Sequence, residues 1–171
     1  MEAVTHFFSG IFIMVVLQYF IKVTWLLYLL LIPLCIVAHY FIDAIVLITF
    51  HTPTPRWKDK IWLVWHGVII ISSVAVAVYV LIFMKSFIWA LIAANIPDIY
   101  DWLGLRAWFA ARKVSLPDNP DLLPRYFMHY WIGRLRARCF SWLPDWREQH
   151  KGIITELVIW VACFIVARFL L

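Results

Sequence analysis

The apolar positions of this chain gather into five runs, 4–21, 24–50, 61–84, 86–103 and 153–171, each closed by a charge or a turn residue. About 20 apolar residues in a helix cross the ~30 Å hydrocarbon layer, so the runs predict five helical segments. The second is long and holds Pro33, which predicts a tilt or a kink, because the ring removes one backbone donor. The fourth is short and interrupted by Pro97, which predicts a re-entrant or partly exposed helix. The first starts almost at Met1, with Glu2 and Gln18 as its polar interruptions, and is followed by no small-residue cleavage site. It is expected to stay as a mature helix.

Between 104 and 152 the pattern changes. Pro117, Pro120, Pro124 and Pro144 surround "RYFMHYWIGRLRARCFSW", in which aromatics interleave with arginines. Such a segment suits the headgroup layer. It predicts an interfacial amphipathic helix with Tyr126, Phe127, Tyr130 and Trp131 at acyl depth and its arginines near lipid phosphates. The expected fold is an all-α, polytopic integral membrane protein forming a single domain over 1–171. It has about five transmembrane or re-entrant helices, an interfacial helix and a basic segment at about 104–152.

Composition strengthens this picture, since 65% apolar residues and a mean hydropathy of +0.86 exclude a soluble globular chain. The sequence pI of 9.3 reads as attraction to the membrane surface. Nucleic acid is excluded as a partner, because the chain offers no soluble basic face. Orientation follows from the cations. With a cytoplasmic N-terminus, twelve Lys and Arg fall on the inner side and only Lys22, Lys85 and Arg168 on the outer. Cys35, Cys139 and Cys163 are scattered and form no CxxC, so neither a disulfide framework nor a thiolate metal site is indicated.

Ionisable groups inside hydrocarbon cost ~2.5 to 3.5 kcal/mol each on insertion scales, so each calls for a reason. His39 and Asp43 stand four apart in "AHYFIDA" and share a helix face. His66 lies early in the third run, Asp98 and Asp101 end the fourth in "NIPDIYDW", and His150 and Glu156 open the fifth in "HKGIITEL". With His6 in "THFFSG", all fall in the inner half under the predicted orientation. Histidine nitrogen with carboxylate oxygen is the ligand set of zinc, manganese or iron, and pairs at i, i+3 or i, i+4 on several helices are how bundles assemble such sites. A divalent cation also offsets carboxylates in a low dielectric. Plainer readings stand beside this one. His129 and His51 suit snorkelling interfacial side chains, Asp98 and Asp101 suit a helix start, His150 and Glu156 can pair with Lys151 and Arg147, and His39 with Asp43 can form a structural hydrogen bond.

Four of these stretches resemble elements of the YdjM-like membrane-bound metal-dependent hydrolases: "THFFSG" the opening "TH...G", "NIPDIYDW" the "PD.D" element, "HKGIITEL" the "HRG.TH" element, and "AHYFIDA" an "H...D" helix. The resemblance covers about thirty residues. It implies a divalent metal, a hydrolytic reaction, a lipid or lipid-linked phosphoester substrate, and residence in a prokaryotic inner membrane.

The combined expectation is a membrane-embedded metallohydrolase. Its expected ligands are His39, Asp43, His66, Asp98, Asp101 and His150, with zinc first and manganese or iron as alternatives. Glu156 or His6 would serve as outer base or further ligand, and Arg106 or Lys151 would hold a substrate phosphate. Two rivals use the same residues: a metal or proton permease, disfavoured because polar groups do not continue into the outer half, and a structural subunit that pairs them with a second protein.

Overall fold

The structure, a computed structural model, describes residues 3–52, 56–116 and 124–170. Glu2, Pro117 and Pro120 of the sequence reading, and the last position of the fifth run, lie outside the described residues. Among the described residues there is helix and no strand. Helix α1 spans Ala3–Phe20 and α2 Thr24–Ala44, the latter ending in a tighter 3-10 turn, Ile45–Ile48. Helix α3 spans Lys60–Phe83, and a 3-10 turn at Lys85–Phe87 leads into α4, Ile88–Ala94. A short α5, Ile96–Asp98, runs into a π-helical stretch, Ile99–Leu105, and then α6, Arg106–Ala111. The amphipathic α7 is Met128–Cys139 and α8 is Gly152–Leu170.

Ala3–Phe20, Thr24–Ile48 and Lys60–Phe83 are long and apolar enough to cross a membrane, and Lys85–Ala94 and Gly152–Ile165 are shorter apolar helices. The surface agrees, since on α3 Val64, Ile71 and Phe83 are each at least two-thirds exposed. Apolar surface of this extent suits a lipid solvent.

Helix α1 is central and packs against α2, α3, α4 and α8. One contact is set by a glycine. A Cβ on Gly10 would stand 2.5 Å from the Ala90 carbonyl oxygen and 2.9 Å from the Ala94 Cβ, so only hydrogen allows α4 to lie this close. On α2 the inward stripe is Leu27, Leu31, Cys35, His39 and Asp43, all buried. Spaced every fourth residue, it is apolar for three turns and ionisable for its last two. Helix continues through Pro33.

The interruption in the fourth run falls at Asn95, whose side chain donates to the Leu91 carbonyl at 2.8 Å and so ends α4. Pro97 then opens the next turn, where its missing N–H costs nothing. Phe127 departs from expectation: it is fully buried in the protein, with its ring 6.3 Å from that of Phe109. Tyr126 and Trp131, by contrast, are about half exposed. Helix α7 rests on α2 and on the π-helical stretch, and Arg136 donates to the Asp43 carbonyl oxygen at 3.1 Å.

Gly10→Ala is expected to destabilise the fold by about 1–3 kcal/mol, the usual cost of overpacking against backbone. Gly67→Ala, where a Cβ meets nothing within 4 Å, is expected to stabilise α3 by roughly 0.5–1 kcal/mol through lower chain entropy. Unfolding of both variants in detergent, followed by circular dichroism, checks the pair.

Candidate metal centre

Four side chains from three parts of the chain converge at one end of the bundle: His39 and Asp43 from α2, Asp98 from α5 and His129 from α7. One ligand atom from each lies within 4.8 Å of the others. His39 Nε2 is 3.3 Å from Asp43 Oδ2 and 3.9 Å from Asp98 Oδ1. His129 Nε2 is 3.3 Å from Asp43 Oδ2 and 3.2 Å from Asp98 Oδ1.

The hydrogen bonds around the group fix which atoms face inward. His39 Nδ1 lies 2.8 Å from the Ala94 carbonyl oxygen, which can only accept, so Nδ1 carries the proton and Nε2 its lone pair. His129 Nδ1 lies 2.7 Å from Asp101 Oδ2 and donates to it, so Nε2 is the nitrogen that faces Asp43 and Asp98. Both Nε2 atoms therefore face carboxylate oxygens. Such an arrangement is repulsive until something positive sits among them, either a proton or a cation. The spacings suit a cation. Four ligands at ~2.05 Å in a tetrahedron stand ~3.3 Å apart, close to three of the four nitrogen–oxygen separations here.

Asp101 organises the site from behind. Besides the His129 ring it accepts the backbone N–H of Met128 at 2.9 Å and of His129 at 2.8 Å. One carboxylate thus caps α7 and locks the imidazole tautomer, the role that outer carboxylates play behind metal-binding histidines. The π-helical stretch gives Asp98 and Asp101 different neighbours although they are three residues apart, and π segments recur where a helix must re-aim side chains. Burial opposes charge on His129, but the hydrogen bonds its ring donates to Asp101, Asp43 and Asp98 outweigh it and push its pKa up to about 11. The field at this point strongly favours positive charge.

His6 adjoins the group. Its ring stacks on His39 with centroids 3.9 Å apart and 15° between planes, and its Nε2 lies 3.2 Å from Asp43 Oδ1. It is fully buried, and neither ring nitrogen has a hydrogen-bond partner.

The structure does not bring the remaining expected residues into the four-residue group. His66 turns back on its own helix, with Nδ1 donating to the Trp62 carbonyl at 2.8 Å and its ring stacked on Trp62 at 4.0 Å. His150 is exposed, with Nε2 3.2 Å from Asp59 Oδ2. Asp59 also caps α3 by accepting from Ile61 N–H at 2.9 Å. Glu156 is fully buried and ends a chain of hydrogen bonds in which Trp160 donates to Thr5 at 2.7 Å and Thr5 donates to Glu156 at 2.6 Å. The Arg106 guanidinium lies 4.1 Å over the Trp102 ring, whose other neighbour is His129 at 5.8 Å. Lys151 lies 4.5 Å over Trp146.

His129, whose sequence suits a lipid-facing side chain, is the second residue of the basic helix α7. The signal that it belongs to the site is that position, the first turn, where a carboxylate cap is needed. No family model, curated protein or solved structure matches the chain.

His39→Ala and Asp43→Ala are expected to abolish cation binding, whereas His66→Ala and His150→Ala retain it at full stoichiometry. Asp101→Asn is expected to weaken affinity by about 10- to 100-fold, the usual effect of losing an orienting carboxylate. Elemental analysis of the purified proteins after dialysis against graded zinc checks all five.

Proposed function

We propose that this protein is a membrane-embedded, metal-dependent hydrolase that cleaves a lipid or lipid-linked phosphoester at the cytoplasmic face of a prokaryotic inner membrane. The observation that carries the reading is the convergence of two oriented imidazoles and two carboxylates, with only one of them open to the outside. His39, Asp43 and His129 are buried, while the Asp98 side chain retains 30% exposure. A purely structural site would have no need of an open side, whereas catalytic sites keep one.

His39, Asp43 and His129 would hold the ion, with Asp98 or His6 as a further ligand, which would leave a position at the opening for water or substrate. Zinc fits this donor set best, and manganese and iron also accept it. When bound, such a cation supplies Lewis acidity that brings the ionisation of water toward neutral pH and offsets charge on a phosphoryl oxygen. The chain's own residues do the rest. Asp98, at the opening, would take the proton as the water oxygen bonds to phosphorus, and would return it to the leaving oxygen as the phosphorus–oxygen ester bond breaks. Asp101 keeps the His129 ring in one tautomer throughout, and Arg106 stands behind Trp102 at the opening to receive phosphate charge. The likeness of "THFFSG", "AHYFIDA" and "NIPDIYDW" to YdjM-like hydrolase elements supports the same reading, since His6, His39, Asp43, Asp98 and Asp101 all fall in or beside the cluster. A permease would need polar groups continuing away from the cluster. The residues leading away from Asp98 are instead apolar, among them Ile92, Leu91 and Ile88.

The purified protein is expected to carry a stoichiometric divalent metal and to release phosphate or phosphoalcohol from members of a lipid panel. A chelator should abolish both, and zinc should restore them. His39→Ala and Asp98→Ala should remain helical and lose both properties. Ion flux in vesicles without hydrolysis would favour a permease, and a co-purifying protein lost on mutation would favour a scaffold.

A further inference from the structure

A groove of about 470 Å³ leads away from Asp98. Its walls are Ala77 and Leu81 of α3 and Ile88 and Leu91 of α4, its floor is Phe7 of α1, and Trp102 flanks the end at which Asp98 lies. Along α4 and α5 the ten steps from Ile88 to Asp98 correspond to ~15 Å of helical rise, so the groove runs along much of the bundle. Its composition is one-sided, with Asp98 and Asn95 at one end and apolar side chains elsewhere. Beyond Asp98 and Asn95 the lining is apolar and gives water no partners, which suits an alkyl chain.

Two observations mark this groove out from the other lipid-facing surfaces. It ends at the one cluster carboxylate that is open, and behind that carboxylate lie buried nitrogens, His39 Nε2 and both of His6, that have no hydrogen-bond partner. We infer that the groove binds one alkyl chain of a bilayer lipid whose anionic head sits at Asp98 against the cation. This rests on the proposed metal centre. The chemistry is complementary along the whole length: alkyl on Leu81, Ile88 and Leu91, and an anionic oxygen within reach of the cation at Asp98. Leu81 of α3 and Ile92 of α4 on its lining are about half exposed, so a lipid would reach the groove from the side.

The test uses the full-length protein in phosphatidylcholine nanodiscs, loaded with zinc. The probe is hexadecyl phosphate carrying a diazirine near its methyl end, with a head-free hexadecyl diazirine as comparison. Photolabelling mapped by mass spectrometry is expected at Ala77, Leu81, Ile88 and Leu91, enriched roughly tenfold over Ile82 and Val64 on the outer faces of α3. Unlabelled hexadecyl phosphate should compete the signal away. Ala77→Trp, which fills the groove, should reduce labelling several-fold while zinc content is unchanged. Equal labelling of all lipid-facing positions overturns the inference, and so does equal labelling by the head-free probe with no effect of chelator. Zinc content and lipid hydrolysis are scored in the same samples. A protein that binds zinc and hydrolyses lipid but labels evenly refutes the groove alone, whereas groove labelling that needs the phosphate head and zinc but accompanies no hydrolysis refutes the enzyme and leaves the lipid site standing.

Discussion

Asp43 presents its two oxygens to three imidazoles, Oδ1 to His6 and Oδ2 to His39 and His129, and much of the bundle's architecture follows from the need to make that arrangement tolerable. An uncompensated buried ion costs several kcal/mol. Positive charge at the centre removes the penalty, and it is effective only if every ring and carboxylate is held in place from behind. The fold supplies that support: the Ala94 carbonyl for His39, Asp101 for His129, and a stacked neighbouring ring for His6.

That support depends in turn on the close approach of α1 and α4 at Gly10. The contact places Ala94 beside α1 while the Ala94 carbonyl receives the His39 proton. Packing and chemistry therefore meet in one residue. The break at Asn95 falls directly beside that carbonyl, so the interruption in the fourth run, a weakness when judged as a membrane span, coincides with the chemistry of the site.

Much of this was legible in the chain. The five runs became helices, and the spacing of His39 and Asp43, with Asp98 at the end of a broken segment, pointed to groups that do meet. Two histidines show why the rest was not. His66 shares its run with apolar residues as His39 does, but its Nδ1 bonds to a carbonyl one turn back, a local option that spacing does not reveal. His129 sits in an aromatic, arginine-rich stretch that reads as interfacial. What recruits it is Asp101, 28 positions earlier, and sequence alone gives no measure of that separation in space. Phe127 misleads for the same reason, since its burial depends on Phe109 across a long connection.

The cap at Asp101 has a consequence for how such a protein would respond to its surroundings. The same carboxylate that starts α7 also aims the imidazole, so the surface helix cannot lift off without dismantling the four-residue cluster. Attachment of that helix and any grip on a cation would be reciprocally linked. Bilayer charge, acting on Arg134 and Arg138 at the periphery, would then tune an equilibrium in the protein's interior.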